Sequence, residues 1–64
     1  MILKSFCDGE VCVRLSLSIN YDEKEIRLEV TTDDISAGRG SGISFDASEF
    51  EDALIYYDSC VASA

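Results

Sequence analysis

The chain has no histidine, which removes the commonest general base and the usual nucleophile-activating triad. No apolar run approaches the roughly 20 residues that a helix needs to cross a bilayer. The start, Met1-Ile2-Leu3-Lys4, lacks the charged opening, long apolar stretch and cleavage motif of a secretion signal. Positive charge is scarce: five lysines and arginines stand against thirteen aspartates and glutamates, for a net charge of −8. Between Phe45 and Ala64 there is no cation at all. These absences predict a soluble, cytoplasmic, non-enzymatic protein with neither a membrane nor a cofactor among its partners.

What is present points to one small folded domain spanning 1–64. An apolar fraction of 47% is too high for a disordered acidic tail. A chain this short buries only about 60% of its unfolded surface, so a thin stability margin of about 3–5 kcal/mol is expected. Cys7, Cys12 and Cys60 make an odd count, which argues against a disulfide framework. A Cys-x4-Cys pair without histidine is poor zinc spacing. The three are expected as small, reduced, apolar residues, since Asp8 and Glu10 disfavour a reactive thiolate nearby.

Periodicity supplies the fold. Val11, Val13, Leu15, Leu17 and Ile19 alternate with Cys12, Arg14, Ser16 and Ser18, the period-two signature of a strand with one buried face. Ile26, Leu28 and Val30 repeat the pattern, and Ile2–Cys7 is a shorter apolar run. Asp8-Gly9 predicts a two-residue type I′ hairpin, placing Phe6 opposite Val11 and Ile2 opposite Leu15. A turn over Asn20-Tyr21-Asp22-Glu23 places Leu17 opposite Ile26, Leu15 opposite Leu28, and Arg14 opposite Glu29 as an ion pair. Lys4 is the misfit on the inner face, expected near an edge. Residues 33–42, with glycines at 38, 40 and 42, predict an irregular stretch, followed by a short fourth strand from Gly42 to Phe45.

A helix follows. Asp46 is the expected N-cap, Glu49 its reciprocal partner, and Phe45 with Phe50 a hydrophobic staple. Phe50, Ala53, Leu54, Tyr57 and Val61 form an apolar stripe that should cover the sheet. The fold class is therefore α+β, an antiparallel meander of three to four strands packed on one C-terminal helix (β-β-β-β-α). Ile55 points away from the stripe among Glu51, Asp52 and Asp58, and Tyr56 also lies outside it. Glu49, Glu51, Asp52, Ile55, Tyr56 and Asp58 are the candidate partner-binding residues.

Other chemistry is poorly supported. Gly38-Arg39-Gly40-Ser41-Gly42 lacks the lysine and spacing of a phosphate loop. Asp22, Glu23 and Glu25, and the pair Asp33-Asp34, lack the ligand alternation of a calcium loop. The outward sheet face offers two arginines, two glutamates and no aromatic ring, a poor platform for single strands.

The segment Gly40-Ser41-Gly42-Ile43-Ser44-Phe45-Asp46-Ala47-Ser48-Glu49-Phe50 resembles the sheet-to-helix junction of the transcriptional coactivator family known as positive cofactor four. That family has a Gly-Ile-Ser/Thr-Leu stretch followed by a capped helix with an early aromatic. The resemblance implies a homodimer built through the helices, which suits Ile55 and Tyr56, and single-stranded DNA binding by basic and aromatic strand residues. This chain has almost none of those residues at the corresponding places.

Three functions follow as expectations. The first is an acidic module, in size and charge like small phage proteins that block defence or repair enzymes, whose carboxylates mimic nucleic acid and occupy a basic nucleic-acid-binding protein. The second is a homodimeric single-strand binder of the coactivator type. The third is a structural or regulatory subunit with a non-basic partner.

Overall fold

A computed structural model describes all 64 residues. Four strands, β1 (Ile2–Asp8), β2 (Val11–Asn20), β3 (Glu25–Asp34) and β4 (Arg39–Asp46), are followed by a 3₁₀ turn (Ala47–Glu49) and helix α1 (Phe50–Ser63). The strands form an antiparallel meander in the order β1-β2-β3-β4, as the alternation predicts. No helix is long and apolar enough to cross a membrane.

Both predicted hairpin registers are displaced by two residues. In the first, Asp8 pairs with Val11 and Phe6 with Val13, so the loop is Gly9-Glu10 rather than Asp8-Gly9. Gly9 alone has positive φ there, at 62°. Positive φ at only the first central position belongs to a type II′ turn, which favours glycine at that place. In the second hairpin the loop is Tyr21–Lys24, with Leu17 opposite Leu28 and Leu15 opposite Val30. The Asn20 side chain accepts from the Asp22 and Glu23 amides, which moves the turn one residue along. A slip of two keeps each side chain on its face, so Leu15, Leu17 and Ile19 still meet Val30, Leu28 and Ile26, while Val13 now faces Thr32 and Val11 faces Asp34. Its casualty is the Arg14–Glu29 pair: Arg14 lies opposite Thr31 and bonds Asp33 instead. In β1 a bulge between Ile2 and Lys4 puts Ile2 beside Ser16, on the face opposite to that expected.

The irregular stretch expected over 33–42 shrinks to the turn Ile35–Gly38, and β4 begins at Arg39. Only Gly38 meets a backbone demand there, with φ of 62°. Gly40 and Gly42 lie within the strand, and a side chain on Gly40 would meet the Asp33 carboxylate at 2.9 Å. These glycines leave space for side chains leaning across from β3.

The cysteine expectation also needs correcting. Cys7 and Cys12 form a disulfide, and only Cys60 is free. The shifted register sets the two cysteines directly opposite each other, with Cα atoms 4.1 Å apart, near the spacing of a non-hydrogen-bonded antiparallel pair. An odd count is equally compatible with one bridge and one free thiol.

Helix α1 lies over β2, β3 and β4. Val13, Leu15, Leu28 and Val30 from the sheet, with Ala53 and Tyr57 from the helix, are the buried core. Leu54 and Val61 pack against it as the stripe predicts, but Phe50 stays largely exposed. Lys4, on edge strand β1, rests its ammonium 5.2 Å from the centroid of the Tyr57 ring, a cation–π contact that accommodates the one inward charge.

Candidate protein-binding face

The start of the helical segment decides which carboxylates are available. The Asp46 carboxylate accepts from the Ala47 amide at 2.8 Å, and the Asp46 amide donates to Glu49 at 3.1 Å. Together with the bond from the amide at the third position, this completes the predicted capping box. The Glu49 carboxylate is thus engaged in holding the chain's turn from sheet to helix, leaving it less free to meet a partner.

Tyr56 departs from its expected place outside the packed stripe. It is half-buried against the core, its ring centroid 5.9 Å from that of Phe45. Loss of water around the phenol, with the neighbouring Cys60 thiol adding to it, raises its pKa above the usual tyrosine value. Tyr56 therefore supports the face from below, with part of its surface reachable.

Glu51, Asp52, Ile55 and Asp58 all remain exposed on the solvent side of α1, and Ile55 keeps 67% of its surface. At 100° per residue, Glu51 stands one turn before Ile55 and Asp58 one turn after it, so an apolar side chain is bracketed by carboxylates. No cation balances them. The two ion pairs, Arg14 with Asp33 and Arg27 with Glu25, both lie on the sheet's opposite face. Lys4 rests on Tyr57, while Lys24 and Arg39 sit at hairpin turns.

Glu51 and Asp52 have a structural use as well, because acids in a first helical turn complement the macrodipole. Asp58 does not share it. It stands beyond the first turn, in the second half of α1, and the last turn contains no basic residue.

Two open clefts flank the far end of the sheet. One, of about 470 Å³, lies between the C-terminal half of α1 and the strand ends, lined by Val11, Thr32, Asp34, Tyr56 and Cys60 among others. The other, of about 570 Å³, is bounded by Gly38, Arg39 and Gly40 and has no apolar lining. Asp34 borders both. Its carboxylate accepts from the Ser36 hydroxyl at 2.7 Å and the Ala37 amide at 3.3 Å, and these bonds lower its pKa. That is the chemistry of a turn residue. No three metal-ligating side chains are placed to share an ion.

Sequence reasoning missed the bridge between Cys7 and Cys12. The available signal was a pair of cysteines placed symmetrically about Gly9-Glu10, once that dipeptide is taken as the loop. Comparison with protein-family models, with curated proteins and with solved structures finds no match for this chain.

Proposed function

We propose that this chain is a small non-enzymatic binding module that lays the solvent face of α1 against a basic nucleic-acid-binding protein, inhibiting it by placing carboxylates where phosphates would lie. Its setting would be of the anti-defence kind. One observation carries the reading: Glu51, Asp52 and Asp58 surround an exposed Ile55, and none of them has an ion-pair partner in its own chain. The carboxylates provide long-range attraction, which accelerates association by about 10- to 1000-fold at low ionic strength. Ile55 provides the desolvated anchor that attraction alone lacks.

The test is binding to a basic partner, captured from the native cell type, measured at two salt concentrations. The mimic requires steep salt dependence and large losses in the triple variant Glu51→Gln, Asp52→Asn, Asp58→Asn. Affinity indifferent both to salt and to that variant refutes it.

The exposure of Ile55 favours a second reading, a regulatory subunit with a non-basic partner. Ile55→Asp then abolishes binding while the amide variant does nothing. The coactivator-type reading requires a shift of labelled single-stranded oligonucleotide at moderate salt. Weighing against it are an outer sheet face whose two arginines already hold carboxylates and the absence of aromatic rings there.

A further inference from the structure

The two edges of the sheet are guarded unequally. An edge strand carries a row of unpaired N–H and C=O groups, and an inward charge, a bulge or a proline discourages another chain from adding there. β1 has the first two: Lys4 turned toward Tyr57 and the break in register after Ile2. β4 has none of them. Its pairing with β3 runs without interruption from Arg39 to Asp46, and its other side is unpaired. The residues between, Gly40 to Phe45, include no charge and no proline. Phe45 apart, every residue of the strand is exposed.

On the face away from α1, the row of β4 is nearly bare. It consists of Gly40, Gly42, Ser44 and Asp46, opposite Asp33, Thr31, Glu29 and Arg27. Carboxylates of β3 lean into the space that the glycines leave. At Gly40 the neighbour is Asp33, which already holds Arg14. At Gly42 the Glu29 carboxylate carbon stands 3.8 Å from where a side chain would begin, and neither ion pair of the molecule uses it. Glu29 is thus an exposed, unneutralised acid beside a gap that opens onto the free edge.

We infer that the β4 edge takes up an extended segment of another protein as a fifth strand, with lysine or arginine on its outward row and apolar residues on its inward row. The reach fits. Opposed side chains on neighbouring strands start about 4.5–5.5 Å apart, so a basic side chain opposite Gly42 passes over the glycine and meets Glu29. On the inward side the neighbours are Ser41 and Ile43. Ile43 is 42% exposed, and an apolar side chain beside it removes that surface from water. Backbone bonds give such an addition its affinity, and the alternate side chains give it selectivity.

Charge and the glycine row select a basic strand over a second copy of this chain. An antiparallel two-fold pairing keeps the outward rows on one face, so a second copy brings only its own Gly40, Gly42, Ser44 and Asp46. None of these fills the gap or neutralises Glu29, and the pairing joins two chains of −8 each. The edge is separate from Glu51, Asp52, Ile55 and Asp58 on α1, and the two surfaces stand or fall independently.

The test is titration of the intact protein with a blocked peptide that alternates valine and lysine over the length of β4, 8 residues, followed by amide NMR. Shifts should centre on residues 40–44, and amides there should gain protection from exchange. Glu29→Gln should weaken binding about 3- to 5-fold, the upper range of one cross-strand charge pair. Gly42→Val, which closes the gap, should weaken it at least as much. Should Gly42→Val fail to fold, Glu29→Gln and two control peptides decide. The same peptide with glutamate for lysine must not bind, nor one N-methylated at every residue, which keeps its charge but has no amide to donate. The variant Glu51→Gln, Asp52→Asn, Asp58→Asn must keep the shifts at 40–44, so failure of the helix face and failure of the edge read differently. Shifts centred on α1, equal binding by either control peptide, or unchanged affinity in Glu29→Gln overturns the inference. So does a mass of twice 7.0 kDa with residues 40–44 protected in the protein alone, because a second copy would then hold the edge.

Discussion

Reducing the Cys7–Cys12 bond should remove a large share of this protein's stability. The two residues are five apart in sequence, and closing so short a loop restricts the unfolded chain by about 2 kcal/mol in the entropic treatment. Against an expected total of about 3–5 kcal/mol for a core of this size, that is close to half. The loss should fall unevenly. All seven residues of β1 are exposed, and the helix rests on the other three strands. Urea unfolding with and without a strong phosphine reductant measures the global effect, and the double variant Cys7→Ser, Cys12→Ser reproduces it without reductant. The midpoint should fall by about 1–2 M, given a slope of about 1–2 kcal/mol per molar for a small domain. Amide exchange should show residues 4–8 opening most readily once the bond is cut. An unmoved midpoint in both experiments would refute the reasoning, because the cross-link would then contribute nothing to the folded state. A rise in amide exchange confined to the helix would refute the assignment of the bond to the β1–β2 hairpin.

Three further outcomes follow. Leu15 is fully buried at the centre of the sheet, so Leu15→Ala should cost about 2–5 kcal/mol and leave little folded protein by circular dichroism. Lys24 holds φ of 54° at the last position of the β2–β3 loop, the place that Gly38 occupies in the β3–β4 loop. Lys24→Gly should therefore raise stability by up to about 1 kcal/mol, while a fall in Tm would show that the lysine side chain matters more than its backbone. The hydroxyl of Ser36 and the amide of Ala37 hold the Asp34 pKa below 3.8 in the folded state. Its contribution to stability is complete above the unfolded value and is lost as pH falls through the lower folded one. Acid titration of unfolding should lose part of its slope below pH 4 in Asp34→Asn, and an unchanged profile would show that Asp34 is not a source of it.

The two faces of the sheet, its first two hairpins and the capped start of the helix were legible because each depends on a local pattern. Alternation assigns Val13, Leu15, Leu28 and Val30 to one side whatever their partners. Asp46 and Glu49 need only each other. Acidity without compensation at Glu51, Asp52 and Asp58 was also readable, since the last nineteen residues contain no cation.

Register was not legible in the same way. A shift of two preserves the alternation, so the pattern cannot choose between turns, and backbone geometry at Gly9 and the Asn20 side chain made the choice. Everything that depends on which residue stands opposite which was then settled in three dimensions. Cys7 met Cys12, Arg14 took Asp33 in place of Glu29, and the glycines expected to loosen a loop instead gave β3 side chains room over β4. Packing of the helix on the sheet sets the Tyr56 ring 5.9 Å from that of Phe45, narrowing the outward face of the helix to Ile55 and its carboxylates. Short-range chemistry alone determined the elements and their polarity. Long-range packing decided the pairings, because opposite neighbours are chosen by turn geometry and steric fit that no single strand encodes.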